Sequence, residues 1–103
     1  MSYAIVFDLD TEVLKKTYRN ESFPNAYSDI KKILVNYGFE HQQGSTYFGN
    51  DKVDAVTCVL AVQEISSTYD WFAPSVQDIR MLRIEDNNDL RPAVERAKSI
   101  GKN

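Results

Sequence analysis

The fold is decided by a short apolar stretch near the N-terminus, residues 3–9 (YAIVFDL). Apolar side chains fall on both faces of this stretch: Tyr3, Ile5 and Phe7 on one, Ala4 and Val6 on the other. A strand that is apolar on both faces is usually central in its sheet. We therefore predict a central first strand with the charged residue Asp8 at its C-terminal end.

Two helical segments are predicted next. Residues 10–19 indicate a short helix or an ordered loop, capped by Asp10 or Thr11. A longer helix follows Pro24, which suits a first turn, and Gly38 is a natural C-terminal stop. Its buried stripe, at spacings of three and four, comprises Ala26, Tyr27, Ile30, Ile33, Leu34 and Tyr37.

The middle of the chain predicts a hairpin and a second long helix. Residues 39–49 (FEHQQGSTYFG) favour two short strands around a turn at Gln43-Gly44-Ser45. Asn50 or Asp51 is predicted to cap the helix. Its buried face is predicted to comprise Val53, Val56, Val59, Leu60 and Ile65. Residues 71–74 (WFAP) are predicted to be a loop that anchors aromatic side chains.

Residues 76–85 (VQDIRMLRIE) predict the last strand, and residues 89–99 a C-terminal helix with Pro92 in its first turn. The resulting order is strand, helix, strand, strand, helix, strand. This is the split βαβ pattern of the ferredoxin-like α+β fold, a four-stranded antiparallel sheet with its helices on one face. Residues 1–103 are predicted to form a single domain.

The helices of this fold leave the second sheet face open, yet the first and last strands are both apolar on two faces. In the last strand, Ile79 and Met81 lie on one face, and Leu82 and Ile84 on the other. An exposed apolar face needs a cover. A second copy of the chain is the simplest cover, so the pattern predicts a homodimer.

Composition limits the classes of protein that fit. Cys58 is the single cysteine, so no internal disulfide can form and a reducing cytoplasmic location is predicted. No signal peptide and no apolar run of about 18 residues is present, so no membrane span is expected. The net charge of -3 argues against tight non-specific binding to long nucleic acid, although a local basic groove can still handle RNA.

Four stretches in order identify a family. They are residues 3–9 (YAIVFDL), residues 26–30 (AYSDI) with Gly38-Phe39, residues 43–47 (QGSTY), and Trp71 with residues 75–80 (SVQDIR) and 83–85 (RIE). Together they resemble the virulence-associated protein D family along nearly the whole chain. The resemblance implies a ferredoxin-like homodimer related to small CRISPR-associated nuclease and adaptor subunits. It also implies ribonuclease activity and, in several members, the toxin role of a toxin–antitoxin pair.

The family's proposed active-site positions match Asp8, Leu14, Ser45 and Asp78, and an acidic residue in the place of Asp8 lies beside the dimer axis in the CRISPR relatives. Asp8 would serve as a general base or as a ligand for a divalent cation such as Mg²⁺ beside the scissile phosphate. The alternative is an ion pair with Arg80 or Arg83. Asp78 would complete a metal site or act as an acid, or else pair with Arg80.

Hydroxyl and imidazole groups give two further candidates. Ser45 would hold a phosphate oxygen or position the attacking group, although a Ser at such a turn more often bonds to its own backbone. His41 is the only histidine, and it either acts as an acid or base or faces solvent. Cys58 is predicted to be a core residue.

Basic and aromatic side chains give candidates for binding RNA. Arg80 shares a face with Asp78, whereas Arg83 lies on the opposite face, so Arg80 is the better phosphate ligand. Lys15, Lys16 and Arg19 would steer RNA, or simply form a solvated face. Tyr47 would stack on a base, with a core or interface role as the alternative.

Two functions compete at this point. The first is a homodimeric endoribonuclease that cleaves single-stranded RNA, either by activation of the ribose 2′-hydroxyl without metal or through Mg²⁺ and water. The second is a non-catalytic dimeric module that binds an antitoxin or another protein through an exposed strand edge.

Overall fold

The computed structural model describes residues 2–18 and 22–101. A four-stranded sheet has the order β2-β3-β1-β4, and each neighbouring pair is antiparallel. The strands are β1 (Ser2–Leu9), β2 (Phe39–Gln43), β3 (Thr46–Gly49) and β4 (Val76–Ile84). The helices are α1 (Thr11–Thr17), α2 (Asn25–Asn36), α3 (Ala55–Thr68), α4 (Phe72–Ser75) and α5 (Arg91–Ile100). The ferredoxin-like α+β fold predicted from the sequence is confirmed.

The core lies between one face of the sheet and helices α2 and α3. Ile5 and Phe7 of β1 meet Ile30 and Leu34 of α2, while α3 contributes Ile65. Cys58, at 2% exposed, belongs to this core as predicted. The other face of the sheet carries no helix, and Asp8, Arg80 and Leu82 are exposed there. We call this second surface the open face.

Cross-strand register assigns each side chain to a face. Ile5 pairs with Met81 on the helix-covered face, and Ala4 pairs with Leu82 on the open face. The alternation predicted for β4 is therefore confirmed. Ala4 is only 1% exposed although it lies on the open face, because Phe48 and Leu82 flank its small side chain in the register.

Two glycines permit the turns at either end of β2. Gly38 has φ 99°, in the left-handed region that terminates α2, and an added Cβ there would lie 2.9 Å from the Asn50 side chain. Gly44 has φ 51° in the turn between β2 and β3. Both positions were predicted as turns or stops, and the conformational freedom of glycine is the reason they occur there.

Three predictions about local structure were wrong. Val56, Val59 and Leu60 were predicted on the buried face of α3 but are 64%, 51% and 48% exposed, because Cys58, Ala61 and Ile65 form its buried side.

Helix α3 begins at Ala55 with Asp54 as its N-cap, so neither Asn50 nor Asp51 caps it. Asn50 instead caps its own turn, where its side-chain oxygen accepts from the Lys52 N–H at 2.9 Å.

The predicted loop at residues 71–74 contains the single helical turn α4, although Trp71 and Phe72 anchor it in the core as expected. The short helix predicted at residues 10–19 ends at Thr17, and Arg19 lies outside the described residues. Within residues 2–18 and 22–101, none of the helices combines the length and the hydropathy that crossing a bilayer requires.

Candidate active site

The centre of the site is a pair of carboxylates at one end of the open face. Asp8 of β1 lies directly opposite Asp78 of β4 in the antiparallel ladder. Such partners have β-carbons about 4.5–5.5 Å apart, and both side chains project from the same face. Immediately after this pair the register shifts, because Leu9 pairs with Val76 and leaves Gln77 as an extra residue on β4. Bulges of this kind often re-aim side chains beside active sites.

Arg80 supports one member of the pair. Its Nε donates to the two carboxylate oxygens of Asp78, at 3.2 and 3.1 Å. This hydrogen bond and the charge of Asp78 raise the pKa of the Arg80 guanidinium. Arg80 pairs with Val6 in the register, so it shares the open face with both aspartates. The remaining guanidinium N–H groups are available to an incoming anion.

Asp8, in contrast, makes no side-chain hydrogen bond or ion pair within the described part of the chain. The predicted alternative was an ion pair with Arg80 or Arg83. Arg80 pairs with Asp78, and Arg83 pairs with Glu85 at 3.1 Å. The expectation that Asp78 pairs with Arg80 is confirmed. Neither Arg80 nor Arg83, the two partners predicted for Asp8, forms an ion pair with it. An exposed carboxylate without a partner is free to accept a proton or a cation.

Ser45 flanks the same end of β1 from the other side. The N–H of Phe7 donates to the Ser45 carbonyl at 3.1 Å, and Val6 pairs with the next residue, Thr46. This register places the Ser45 side chain beside Phe7 on the helix-covered face, whereas Asp8 projects from the open face. The backbone of Ser45 therefore adjoins the carboxylate pair, but its hydroxyl lies on the other side of the sheet.

Two residues predicted to bind substrate are buried. Leu14 is 0% exposed and Tyr47 is 3% exposed, so both side chains form core rather than a surface open to RNA. The Tyr47 ring stacks on Phe7 with centroids 6.1 Å apart. For Tyr47 this agrees with the core role named as the alternative. For Leu14 the cause is its position on the inner side of α1.

The two lysines lie on α1, which starts three residues after Asp8. Asp10 fixes this start, because its Oδ1 accepts from the N–H groups of Glu12 and Val13 at 2.9 and 3.2 Å. Lys15 lies 3.5 Å from Glu12 and 5.4 Å from the centroid of the Phe23 ring. Lys16 is exposed. Both lysines therefore lie on the helix that follows Asp8 directly in the chain.

One polar ring near the site, that of Tyr27, was not recognised from the sequence. Tyr27 was predicted only as part of the buried stripe of α2, but its pKa is raised by burial and, to a smaller extent, by the charge of Asp8. Its phenol is therefore within electrostatic range of that carboxylate. His41, which the sequence predicted as an acid or base or as a solvent-facing residue, is half-buried, with its ring 4.8 Å from that of Tyr47. The feature of the sequence that could have identified Tyr27 is its hydroxyl group, which is a polar tip on an otherwise apolar stripe of α2.

The donor set of the pair suits a hard divalent cation. Carboxylate oxygens are the ligands that Mg²⁺ takes, usually one or two of them together with waters and substrate phosphates. Asp8 and Asp78 supply two such groups on one face. No cluster of three or more His, Cys, Asp or Glu side chains that could hold a metal occurs in the described ranges. The pair therefore fits a site that substrate completes, and not a closed structural metal site.

Comparison with known proteins agrees with the fold. The fold defines an α+β protein of the ferredoxin-like class, and the family model for CRISPR associated protein Cas2 matches residues 1–91. Endoribonuclease VapD 2 of Riemerella anatipestifer is 50% identical over 89% of this chain and 98% of its own length. Endoribonuclease VapD homolog of Helicobacter pylori is 50% identical over 90% of this chain and 96% of its own. Endoribonuclease VapD of Dichelobacter nodosus is 43% identical over 92% of this chain and 99% of its own length. The chain belongs to the VapD family.

Proposed function

We propose that this protein is an endoribonuclease that cleaves single-stranded RNA at the Asp8–Asp78 pair. The observation that carries the proposal is an exposed carboxylate without a partner, directly opposite a second carboxylate. The names of the similar proteins, endoribonucleases in each case, support the same activity.

The groups around the pair have complementary chemistry. Asp8 is the general base that takes a proton from the attacking oxygen. Arg80 holds Asp78 through Nε and binds a phosphate oxygen with its remaining N–H groups. A phenol with the ordinary pKa of 10.0 is protonated at neutral pH, and burial raises the pKa of Tyr27 further, so its hydroxyl can donate a hydrogen bond.

Magnesium is the cofactor that the pair would take. Asp8 and Asp78 would hold the ion, which supplies positive charge to the phosphate oxygens when bound. Without a metal, Asp8 would activate the ribose 2′-hydroxyl directly. The two routes differ in their products. The metal-free route leaves a 2′,3′-cyclic phosphate, which attack by water at a metal does not form.

The working form that we propose is a homodimer joined through the open face. Beside the carboxylate pair this face carries an apolar surface, which comprises Val6, Phe48, Leu82 and Ile84. A two-fold axis through such a surface makes it self-complementary. It also brings the two copies of Asp8 toward each other at one cleft.

We further propose that the protein is the toxin of a toxin–antitoxin pair, acting in the cytoplasm with a protein antitoxin as its partner. The resemblance to the virulence-associated protein D family supports this role. The net charge of -3 argues against tight binding along the length of an RNA, and it is compatible with brief contact in a local basic groove.

The Asp8→Asn variant tests the catalytic proposal. Asn keeps the size of the side chain and removes the base, so we expect cleavage of a defined single-stranded RNA to fall at least about 100-fold. The measurement is the initial rate on an end-labelled RNA, with identical purification of both proteins. Equal degradation by both would assign the activity to a contaminating nuclease and leave the non-catalytic binding module as the better hypothesis.

Chelation then separates the two chemical routes. Loss of wild-type cleavage in EDTA, with recovery on addition of Mg²⁺, supports the metal at Asp8 and Asp78. Full activity in EDTA with 2′,3′-cyclic phosphate ends would exclude the metal route.

A further inference from the structure

A groove lies behind the end of β1, on the helix-covered side of the sheet. It runs between α2 and the turn that joins β2 to β3, with a volume of about 540 Å³. This is within the range of about 300–1,000 Å³ typical of small-ligand sites. The side chains that concern us in its lining are Tyr27, Ser28, Lys31, His41 and Ser45. We call it the α2–turn groove.

Lys31 gives the groove a positive charge. In the part of the chain that the structure describes, Lys31 has no ion-pair partner, and its side chain is exposed. The hydroxyls of Ser28 and Ser45 line the same groove. An ammonium group without an ion-pair partner among the described residues, beside two hydroxyls, is a suitable set of donors for a phosphate.

His41 gives the groove a fixed acceptor. Its Nε2 lies 2.7 Å from the carbonyl oxygen of Gly44. Because a carbonyl only accepts, Nε2 must carry the proton, and in the neutral ring Nδ1 is then the acceptor. The ring is held against Tyr47, with centroids 4.8 Å apart. An acceptor of this kind can receive a hydrogen bond from a ribose 2′-hydroxyl, the group that distinguishes RNA from DNA.

The groove also adjoins the carboxylate pair. Tyr27 lines it and is within electrostatic range of Asp8. Ser45 lines it as well, and its carbonyl accepts from the N–H of Phe7, the residue before Asp8. One RNA strand can therefore pass from the groove around the end of β1 to Asp8. The neighbouring groove along β2 shares Lys31 and His41, but it also contains Glu40, whose charge makes it a poorer path for phosphate.

We propose that the α2–turn groove is a nucleotide subsite for single-stranded RNA, in which Lys31 binds a non-scissile phosphate and His41 accepts from the adjoining ribose 2′-hydroxyl. This inference rests on the proposed function, because it assigns the flanking contacts of the same substrate. His41 is then a specificity residue for ribose, and Lys31 a residue for affinity.

Binding by Lys31 is measured on Asp8→Asn protein, with a fluorescein-labelled single-stranded RNA whose integrity is checked on a gel. We expect Lys31→Ala to weaken binding several-fold and to reduce the slope of log Kd against log salt by about 0.7, the value for one lost phosphate contact to a single strand. Lys32→Ala is the matched control, since it removes the same charge from the same helix outside the groove, and we expect little change in either quantity. Equal effects of the two variants would overturn the assignment of Lys31.

Ribose recognition by His41 is measured with RNA and DNA of the same sequence. His41→Phe keeps a ring against Tyr47 and removes both nitrogens. We expect it to weaken RNA binding while DNA binding is unchanged, so that the preference for RNA falls. An unchanged ratio of RNA affinity to DNA affinity, whether both affinities stay the same or both fall equally, would overturn the role of His41.

The groove proposal and the catalytic proposal can each fail without the other. If Asp8→Asn still cleaves RNA, the proposed catalysis fails, yet the difference between Lys31→Ala and Lys32→Ala remains measurable on DNA of the same sequence. If the two lysine variants agree while Asp8→Asn is inactive, the groove proposal fails and the catalytic one stands.

Discussion

Asp8 and Asp78 oppose each other across one rung of the ladder between β1 and β4. Like charges at directly opposite positions destabilise a strand pair. Arg80 offsets the charge of Asp78 alone, with its Nε 3.1 Å from Oδ2. A local conflict of this kind, at an exposed bulge, is expected where function rather than folding selects the residues.

Leu14 gives a prediction at the residue scale. It is 0% exposed, so Leu14→Ala should lower the free energy of unfolding by about 2–5 kcal/mol through lost burial and a cavity. Leu14→Met keeps the volume and should cost less than about 1.5 kcal/mol. Urea denaturation of the three proteins measures these differences.

The activity of the same variants tells whether Leu14 acts through the fold. We expect Leu14→Met to cleave RNA at the wild-type rate at a temperature where it is fully folded. A large loss of activity in a stable Leu14→Met protein would instead place Leu14 in contact with substrate.

At the scale of elements, α3 depends on a cap that the sequence pattern misplaced by a few residues. Asp54 Oδ1 accepts from the backbone N–H and the hydroxyl of Thr57, at 2.8 and 2.7 Å. These hydrogen bonds lower the pKa of Asp54 from the usual value of 3.8. A carboxyl whose pKa is lower in the folded state stabilises that state above the unfolded pKa, and loses this contribution as pH falls through the folded value.

Asp54→Ala should therefore lower the melting temperature at neutral pH, and the difference from wild type should shrink below about pH 4. Asp54→Ser retains a capping oxygen that does not titrate, and serves as the control. Thermal unfolding followed by circular dichroism between pH 3 and pH 7 measures the effect. A difference between wild type and Asp54→Ala that is constant with pH would contradict the capping role of the charge.

At the scale of the whole molecule, exposed apolar side chains remain on more than one surface. On the open face Leu82 is 47% exposed, and on the helix-covered face the neighbouring Met81 is 46% exposed. Leu90, Val94 and Ile100, on and beside α5, are also exposed, at 71%, 59% and 61%. Such surfaces are usual at interfaces between chains.

The open-face homodimer gives a prediction with a matched pair of variants. We expect the wild-type protein to have twice the chain mass of 11.8 kDa in solution. Leu82→Glu should yield the monomer, because it buries a charge in the proposed interface. Met81→Glu changes an equally exposed neighbour on the opposite face and should leave the dimer intact. Light scattering after size exclusion measures the masses, and a monomeric wild type would exclude this interface.

Much of the fold was predictable because periodicity is a local property. Apolar side chains on both faces of residues 3–9 predicted a central strand, and β1 does lie between β3 and β4. The stripe through Ile30 and Leu34 predicted α2, and Gly38 its end. The shared face of Asp78 and Arg80 followed from parity alone. The start of α3 was missed because Asn50, Asp51 and Asp54 are all good caps, and packing chooses among them.

What the sequence by itself determined is therefore the order of elements, the faces of each strand and the family. Tertiary structure alone decided which residues meet. It places Asp8 opposite Asp78, and it lets Arg80 donate a hydrogen bond to Asp78 and not to Asp8. It also places the Ser45 hydroxyl across the sheet from both carboxylates. It also buried Leu14 and joined α2 to the hairpin turn in one groove. The physical reason is that periodicity fixes the direction of a side chain within its own element, whereas a contact between elements depends on strand register, and register is set only when the core packs.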